Sequence, residues 1–196
     1  VVFDARGAAD GRRALYPEYK AHRDAQPEDL SLQVPLVREL VGAYQIPILE
    51  VTGCEADDVI ATLVAAAPSD MSVAILSTDK DLMQLVSERV ALIDTMKGRH
   101  YGPAEVEERF GVPPARVLDL RALVGDPSDN IPGVKGIGEK GAAKLITEYG
   151  TLENLLAHAG EIAAARTRTA LQEQADAARL SKRLAALRDD VALPLT

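Results

Sequence analysis

Acidic residues follow the short apolar runs of this sequence, each at the point where a run ends. Six stand in such positions and two more follow a predicted helix, which makes eight candidates: Asp4, Glu55, Asp57, Asp58, Asp79, Asp81, Asp126 and Asp129. In an open α/β sheet the carboxyl ends of parallel strands meet at one edge, where ligands usually bind. If the runs are parallel strands, we expect all eight side chains to point toward one crevice.

Each acidic group taken alone has a simple structural explanation. Acids in a first helical turn interact favourably with the helix dipole, and Asp is a good N-cap residue. Taken together, however, carboxylates in one crevice would repel by ~4 kcal/mol for each close pair. Oxygen ligands without nearby Cys or His favour Mg²⁺ or Mn²⁺. The surplus of carboxylates predicts two ions, an arrangement that serves phosphodiester hydrolysis.

Composition alone argues against a nucleic-acid partner, because 30 acidic residues exceed 22 basic ones and the net charge is −8. Setting the eight candidates aside leaves acidic and basic residues in equal number, so cations are free to cluster elsewhere. The single Cys54 excludes a disulfide scaffold and a cysteine-based zinc site. Since no apolar run approaches the ~18–20 residues that span a bilayer, we expect a cytoplasmic protein without a membrane partner.

The pattern of short runs and helical periodicity predicts an α/β fold, with a mostly parallel twisted sheet flanked by helices. Strands are predicted at 1–3, 48–51, 73–76 and 90–93, and helices at 31–44, 55–67, 82–86, 103–110 and 114–124. Strand signals stop after Gly125, so we expect an α/β body over 1–125 and a helical subdomain over 126–196. Because Val1 lies inside a predicted strand and is not Met, we also expect a missing N-terminal segment.

A basic stretch near the start of the chain interleaves cations with aromatic residues. Its members are Arg12, Arg13, Tyr16, Tyr19, Lys20, His22 and Arg23. Bases that stack on Tyr and a backbone held by Lys and Arg are typical of single-stranded nucleic-acid binding. A solvated charged helix whose tyrosines pack on the body explains the same pattern equally well.

Glycines and lysines alternate before another predicted helix. They are Gly133, Lys135, Gly136, Gly138, Lys140 and Lys144. Glycines let a backbone approach a phosphate, which the N–H groups at a helix start can bind. The spacing G-x-x-G-x-G without a preceding strand differs from a dinucleotide fingerprint, and the P-loop pattern is absent from the sequence. The segment instead favours a sequence-independent grip on duplex backbone.

Four strings resemble the bacterial 5′-nuclease family, which comprises the 5′→3′ exonuclease domain of DNA polymerase I and related flap endonucleases. The strings are YPEYKAHR at 16–23, GCEADDVI at 53–60, STDKDL at 77–82 and GDPSDNIPGVKGIGEK at 125–140. The resemblance implies a PIN-like nuclease body, and it implies that the eight acids bind two or more divalent ions. Lys20 and Arg23 would lie in a helical arch and contact the scissile phosphate. Residues 132–149 would form a helix–three-turn–helix element that grips duplex DNA, with K⁺ at its glycine turn.

The same resemblance implies hydrolysis of DNA at a 5′ end, flap or nick during replication and repair. It also implies a monomer at the bacterial nucleoid, with a polymerase domain in the same parent chain. The family's first metal-site Asp would lie upstream of Val1. Two alternatives stay open: a DNA-binding module without catalysis, and a PIN-type ribonuclease, which the glycine-rich segment does not favour.

Overall fold

The computed structural model describes residues 1–24 and 26–193, in which the predicted runs at 73–76 and 90–93 form neighbouring parallel strands. These strands are β1 (Val73–Leu76) and β2 (Val90–Asp94), and a 3₁₀ helix at Lys80–Leu85 lies between them in the chain. A third strand, β3 (Arg99–Tyr101), pairs antiparallel with β2. The α/β class is therefore confirmed, while the sheet order β1-β2-β3 combines one parallel and one antiparallel pairing.

Nine α-helices lie within the described residues. They are α1 (Asp10–Leu15), α2 (Glu28–Ala43), α3 (Ala56–Ala66), α4 (Pro103–Phe110), α5 (Pro114–Val124), α6 (Glu139–Tyr149), α7 (Leu152–Ala157), α8 (Ala165–Glu173) and α9 (Ala175–Ala185). The bounds of α4 and α5 match the sequence prediction, because Pro near a helix start marks the first turn. A second 3₁₀ helix covers Ala159–Glu161. None of the helices in the described ranges is long and apolar enough to cross a bilayer.

The chain divides into two compact units. The first unit contains Val1–Ala66 and the chain from Leu187 onward, and the second unit contains Ala67–Ala186. The division predicted at residue 125 was placed where strand signals stop, whereas these two units are defined by compactness. The predicted division stays a prediction.

In the first unit, the predicted strands at 1–3 and 48–51 pair at one point only. A parallel bridge joins Val2 to Leu49, and the Phe3 N–H donates to the Leu49 carbonyl at 3.0 Å. Cys54, Val59 and Val191 form the buried centre beside this bridge. The pairing holds Asp4 at the end of the first segment, as the sequence pattern predicts.

In the second unit, two glycine positions allow one backbone segment to cross another. Gly125 has a φ of +74°, and a Cβ there would lie 2.4 Å from the Ile131 carbonyl oxygen. A Cβ on Gly133 would lie 2.5 Å from the Gly125 nitrogen. This close approach fixes the turn over 125–133 against α5, whose residues are mostly buried.

We predict that Gly125→Ala lowers the free energy of unfolding by at least about 2 kcal/mol, because it combines positive-φ strain with a backbone collision. The measurement is urea unfolding. Gly141→Ala is the matched control, since it lies in α6, where a Cβ would meet only Ile137 at 3.9 Å. That control should gain up to about 1 kcal/mol from helix propensity. Equal effects at the two positions would contradict the argument.

Candidate active site

Four of the predicted acidic residues lie in the first unit, around the start of α3. The Asp4 carboxylate accepts the Ala56 N–H at 2.7 Å, which ties the end of the first segment to the first turn of this helix. Glu55 and Asp58 are buried, and Asp57 is half-buried. The helix start therefore has Asp4 hydrogen-bonded to the first turn in which Asp57 and Asp58 lie.

Arg12 neutralises the two buried carboxylates of this group. Its Nη1 donates to Glu55 and, at 2.8 Å, to Asp58, while its Nη2 donates to Asp58 at 2.7 Å. The Arg188 N–H donates to Asp58 at 3.0 Å. Burial alone would favour the neutral acid, but the hydrogen bonds from Arg12 and Arg188 hold the pKa of Asp58 below its usual value.

Arg12 and Tyr19 do not lie where the sequence analysis placed them. Both were predicted to contact nucleic acid, yet Arg12 is 9% exposed and Tyr19 is 2% exposed. The Tyr19 hydroxyl donates to Glu55 at 3.1 Å. For these two residues the structure favours the alternative of packing on the body, because a buried ring cannot stack on a base.

Lys20 also belongs to this group, through an ion pair with Glu55. Its ammonium lies 5.0 Å from the centre of the Tyr19 ring. Lys20 has a φ of +54°, a conformation that non-glycine residues adopt at a cost of about 1–3 kcal/mol. Residues 17–22 form turns, so the implied helical arch is not helical at this position.

The other basic-stretch candidates lie at the surface. Arg13 and Arg23 are exposed, and Tyr16 is half-buried. The Arg13 Nε donates to the Tyr19 carbonyl at 3.3 Å. Contact between these residues and nucleic acid stays a prediction.

We predict that Arg12→Gln lowers the free energy of unfolding by about 3–5 kcal/mol, since it leaves buried carboxylates without their counter-charge. Urea unfolding at neutral pH measures this loss. Arg13→Gln removes the same charge from the exposed side of α1 and should cost less than about 1 kcal/mol. A loss at Arg12 no greater than that at Arg13 would disprove the role of Arg12.

The other four acidic candidates lie in the second unit. Asp79 is exposed and caps the 3₁₀ helix by accepting the Asp81 N–H at 2.8 Å. Asp126 and Asp129 are buried in the turn after α5. Both the N–H and the hydroxyl of Ser128 donate to Asp126, at 2.8 and 2.6 Å.

Arg121 joins two of these acids, and the sequence analysis did not find it. Its guanidinium is buried and donates to Asp81 at 2.6 Å and also to Asp126. Lys80 adds a second cation, with its Nζ 3.4 Å from Asp126. A single Arg within a predicted apolar helix does not indicate that it pairs with acids. Only the distances from Arg121 to Asp81 and Asp126 show this pairing.

The pKa values of the two joined acids move in opposite directions. Burial raises the pKa of Asp81 to about 6; Arg121 opposes this shift, and the charges of Asp79 and Asp126 reinforce it. Burial also acts on Asp126, but the Ser128 hydrogen bonds and Arg121 outweigh it and lower the pKa to about 2. The carboxylates of this unit are thus close enough to repel one another.

The donor chemistry of both groups fits a hard divalent cation. All the candidate ligands are carboxylate oxygens, and burial together with the charges of Asp79 and Asp126 raises the pKa of Asp81. Over residues 1–24 and 26–193, no three Asp, Glu, His or Cys side chains stand together in a metal-holding arrangement. The acids of the two groups pair with Arg12, Lys20, Lys80 and Arg121. A single pocket for all eight acids stays a prediction.

We predict that Asp81→Asn stabilises the metal-free protein at pH 7.5 by roughly 3 kcal/mol, the equivalent of the pKa rise to about 6. Because the folded state holds this proton more tightly than the unfolded state, wild-type stability from Asp81 is lost as pH rises from about 4 to 6. The gain should therefore vanish below pH 4, as measured by urea unfolding in a chelator.

Asp70→Asn is the matched control for that comparison, because Asp70 is exposed and is not among the charges that shift the pKa of Asp81. It should change stability little at either pH. A gain for Asp81→Asn that is the same at pH 4 and pH 7.5 would contradict the assigned cause.

The glycine-rich segment forms a turn that presents lysines to solvent. Lys135, Lys140 and Lys144 are exposed, as are Gly136 and Gly138. Gly136 has a φ of +93°, and Gly138 immediately precedes α6. Two polar side chains hold the turn: Gln174 Oε1 accepts the Lys135 N–H at 2.8 Å, and Ser181 Oγ accepts the Gly133 N–H at 2.9 Å.

Gly133 differs from the other members of the segment, because it is buried. The sequence analysis assigned it to phosphate contact. The structure explains it by the close crossing with Gly125 instead, where any side chain would collide with backbone.

Acids that follow a parallel strand, a helical C-terminal region and a lysine-bearing glycine turn before a helix together define the architecture of the 5′-nucleases. Two family models cover the chain: the 5′-3′ exonuclease N-terminal resolvase-like domain over residues 1–111 and the 5′-3′ exonuclease C-terminal SAM fold over 112–196. The chain belongs to the 5′-3′ exonuclease family, so the resemblance in the sequence is confirmed.

Two relatives and one solved structure illustrate the match. DNA polymerase I of Rhizobium leguminosarum is 47% identical over 196 residues, which is all of this chain and 19% of that protein. DNA polymerase I of Bacillus caldotenax is 45% identical over 201 residues, covering 100% of this chain and 23% of that protein. The crystal structure of the T5 D15 protein co-crystallised with metal ions matches with a TM-score of 0.81 and 26% identity, covering 94% of this chain and 72% of that one. This chain thus spans about a fifth of the length of these polymerases.

Proposed function

We propose that this chain hydrolyses DNA phosphodiester bonds at or near a 5′ end, as a 5′→3′ exonuclease and structure-specific flap endonuclease. The observation that carries the proposal is the buried pairing of Asp81 and Asp126 through Arg121, since acids that repel at close range are suited to bind divalent ions. Membership of the 5′-3′ exonuclease family supports the same activity.

Two or more Mg²⁺ or Mn²⁺ ions would be held by the eight carboxylates. The second-unit ligands are Asp79, Asp81, Asp126 and Asp129, and the first-unit ligands are Asp4, Glu55, Asp57 and Asp58. Such ions, when bound, activate water for attack and stabilise the leaving 3′ oxygen. The metal ions co-crystallised with the T5 D15 protein support a metal requirement.

The chain's own cations have two tasks in this mechanism. Arg12 and Arg121 orient the buried carboxylates through hydrogen bonds and offset part of their repulsion. Lys20 and Arg23 neutralise charge that develops on the phosphoryl oxygens. The ion pair with Glu55 places the Lys20 ammonium beside the acids of the first unit.

Duplex DNA would bind at the glycine turn, which acts as a helix–three-turn–helix element over 132–149. The exposed Lys135, Lys140 and Lys144 contact phosphates, and the α6 start presents its N–H groups to the backbone. A K⁺ ion at the exposed part of the turn would add to this grip. Arg13 and Tyr16 serve the single strand near the 5′ end.

The biological setting follows from this activity. We infer that the chain acts as a monomer on DNA with a 5′ end, flap or nick, in primer and flap removal during replication and repair at the bacterial nucleoid. A polymerase domain in the same parent chain would fill the gap that cleavage leaves, in keeping with the match to two DNA polymerase I proteins.

We predict that Asp126→Ala and Asp129→Ala each lower turnover of a 5′-flap substrate with Mg²⁺ by more than about 100-fold, because each removes a ligand of the metal centre. The measurement is single-turnover cleavage with separate determination of DNA affinity. Asp176→Ala, a fully exposed acid on α9, is the matched control and should cleave normally.

Unchanged turnover in the Asp126 and Asp129 variants would overturn their assignment. DNA binding without Mg²⁺-dependent cleavage by the unaltered protein would instead favour a binding module. Faster cleavage of single-stranded RNA than of a DNA flap would favour a PIN-type ribonuclease.

A further inference from the structure

A cleft of about 380 Å³ in the second unit lies beside the acidic group and is not used by the mechanism above. Asp79 forms part of its wall, so the cleft begins at the candidate active site. Its other charged walls are Lys80, Asp94, Lys97 and Arg109. Three cations from three different elements therefore face one opening next to the acids.

The three cations lie on three different elements of the second unit. Lys80 begins the 3₁₀ helix, Lys97 lies in the turn between β2 and β3, and Arg109 lies near the end of α4. Their side chains remain 43%, 66% and 48% exposed, respectively. Each cation can therefore meet a ligand without leaving its place in the fold.

Asp94 positions Lys97 and does not make the cleft acidic. It is 2% exposed, and its carboxylate accepts the Lys97 N–H at 3.0 Å, with the Lys97 Nζ 3.4 Å away. The Asp94 carboxylate thus stabilises the turn between β2 and β3. Lys80 pairs with Asp126, which Arg121 also binds, and Arg109 lies 3.9 Å from the exposed Glu139.

A second cleft of about 510 Å³ has Tyr101 and Arg109 as walls in common with the first. It adds Arg99 and His100 of β3 and the exposed Glu105 and Glu108 of α4, so this second cleft carries both signs of charge. The cationic path is therefore the one in the first cleft, which runs from Asp79 past Lys97 to Arg109. Tyr101 is buried, so the path suits a charged backbone better than stacked bases.

We propose that this path, from Asp79 past Lys97 to Arg109, binds non-scissile phosphates of the DNA strand that enters the active site. The inference rests on the proposed function for its substrate. Lys97 and Arg109 are positioning residues in it, since they hold the strand and do not touch the reacting atoms. Phosphate contacts of this kind fix register on DNA and carry no base preference.

The test measures binding of a 5′-flap DNA in a chelator, at salt concentrations from about 50 to about 200 mM, for Lys97→Gln, Arg109→Gln and the double variant. Each lost contact should lower the slope of log affinity against log salt by roughly 0.7–0.9 and weaken binding about threefold at low salt. The double variant should show twice the change in slope. Turnover at saturating DNA with Mg²⁺ should stay the same.

Arg179→Gln is the matched control, because Arg179 is 47% exposed and lines neither cleft. Thermal unfolding of every variant shows whether the fold is retained, and Lys97→Glu should enlarge the effect of Lys97→Gln if charge is the cause. Slopes equal to those of the unaltered protein and of Arg179→Gln would overturn the inference.

The two proposals fail in different ways. If the unaltered protein cleaves flaps and the slopes do not change, the phosphate path is wrong and the nuclease assignment stands. If the slopes change as expected and the unaltered protein does not cleave DNA with Mg²⁺, the path stands and the nuclease assignment is wrong. No measurable binding by the unaltered protein would overturn both.

Discussion

Buried arginines that bind pairs of carboxylates are the interaction on which the candidate site depends. Arg12 joins Glu55 to Asp58 in the first unit, and Arg121 joins Asp81 to Asp126 in the second. Buried carboxylates repel strongly in a medium of low dielectric, so the acids can stay together only with a counter-charge near them. Each unit thus carries its own cation within its fold, and the acids are held in position by it.

The same arrangement gives two neighbouring acids pKa shifts in opposite directions. Asp126 has a pKa lowered to about 2, because Ser128 and Arg121 donate to it. Asp81 has a pKa raised to about 6, because its own burial and two neighbouring acids outweigh Arg121. Neighbouring acids with opposite pKa shifts are typical of functional sites, where like charges held close together lower the stability of the fold. Lys20, which forms an ion pair with Glu55, has a left-handed backbone conformation that also lowers the stability of the fold.

Much of the fold could be predicted from sequence where a local signal was strong. The bounds of α4 and α5 follow from Pro at the helix starts, and β1 and β2 follow from apolar runs. The strand β3 was missed, because Arg99-His100-Tyr101 has no apolar pattern and depends on pairing with β2. The segments at 1–3 and 48–51 were predicted as strands but share a single bridge. An apolar run predicts that a segment is buried, but the number of its backbone pairings depends on the neighbouring segment.

Taken by itself, the sequence determined the family and the α/β class, because these depend on residue types at short, ordered spacings; the role of the eight acidic residues stays a prediction. Only the tertiary structure decided which cation serves which acid. Arg12 and Tyr19 resemble surface residues in the sequence and are buried, whereas Arg121 has no motif and joins two acids. The reason is that ion pairing depends on distances between residues that are far apart in the chain, such as the 46 positions between Arg12 and Asp58. Local patterns cannot encode such distances, and only the packing of helices and strands produces them.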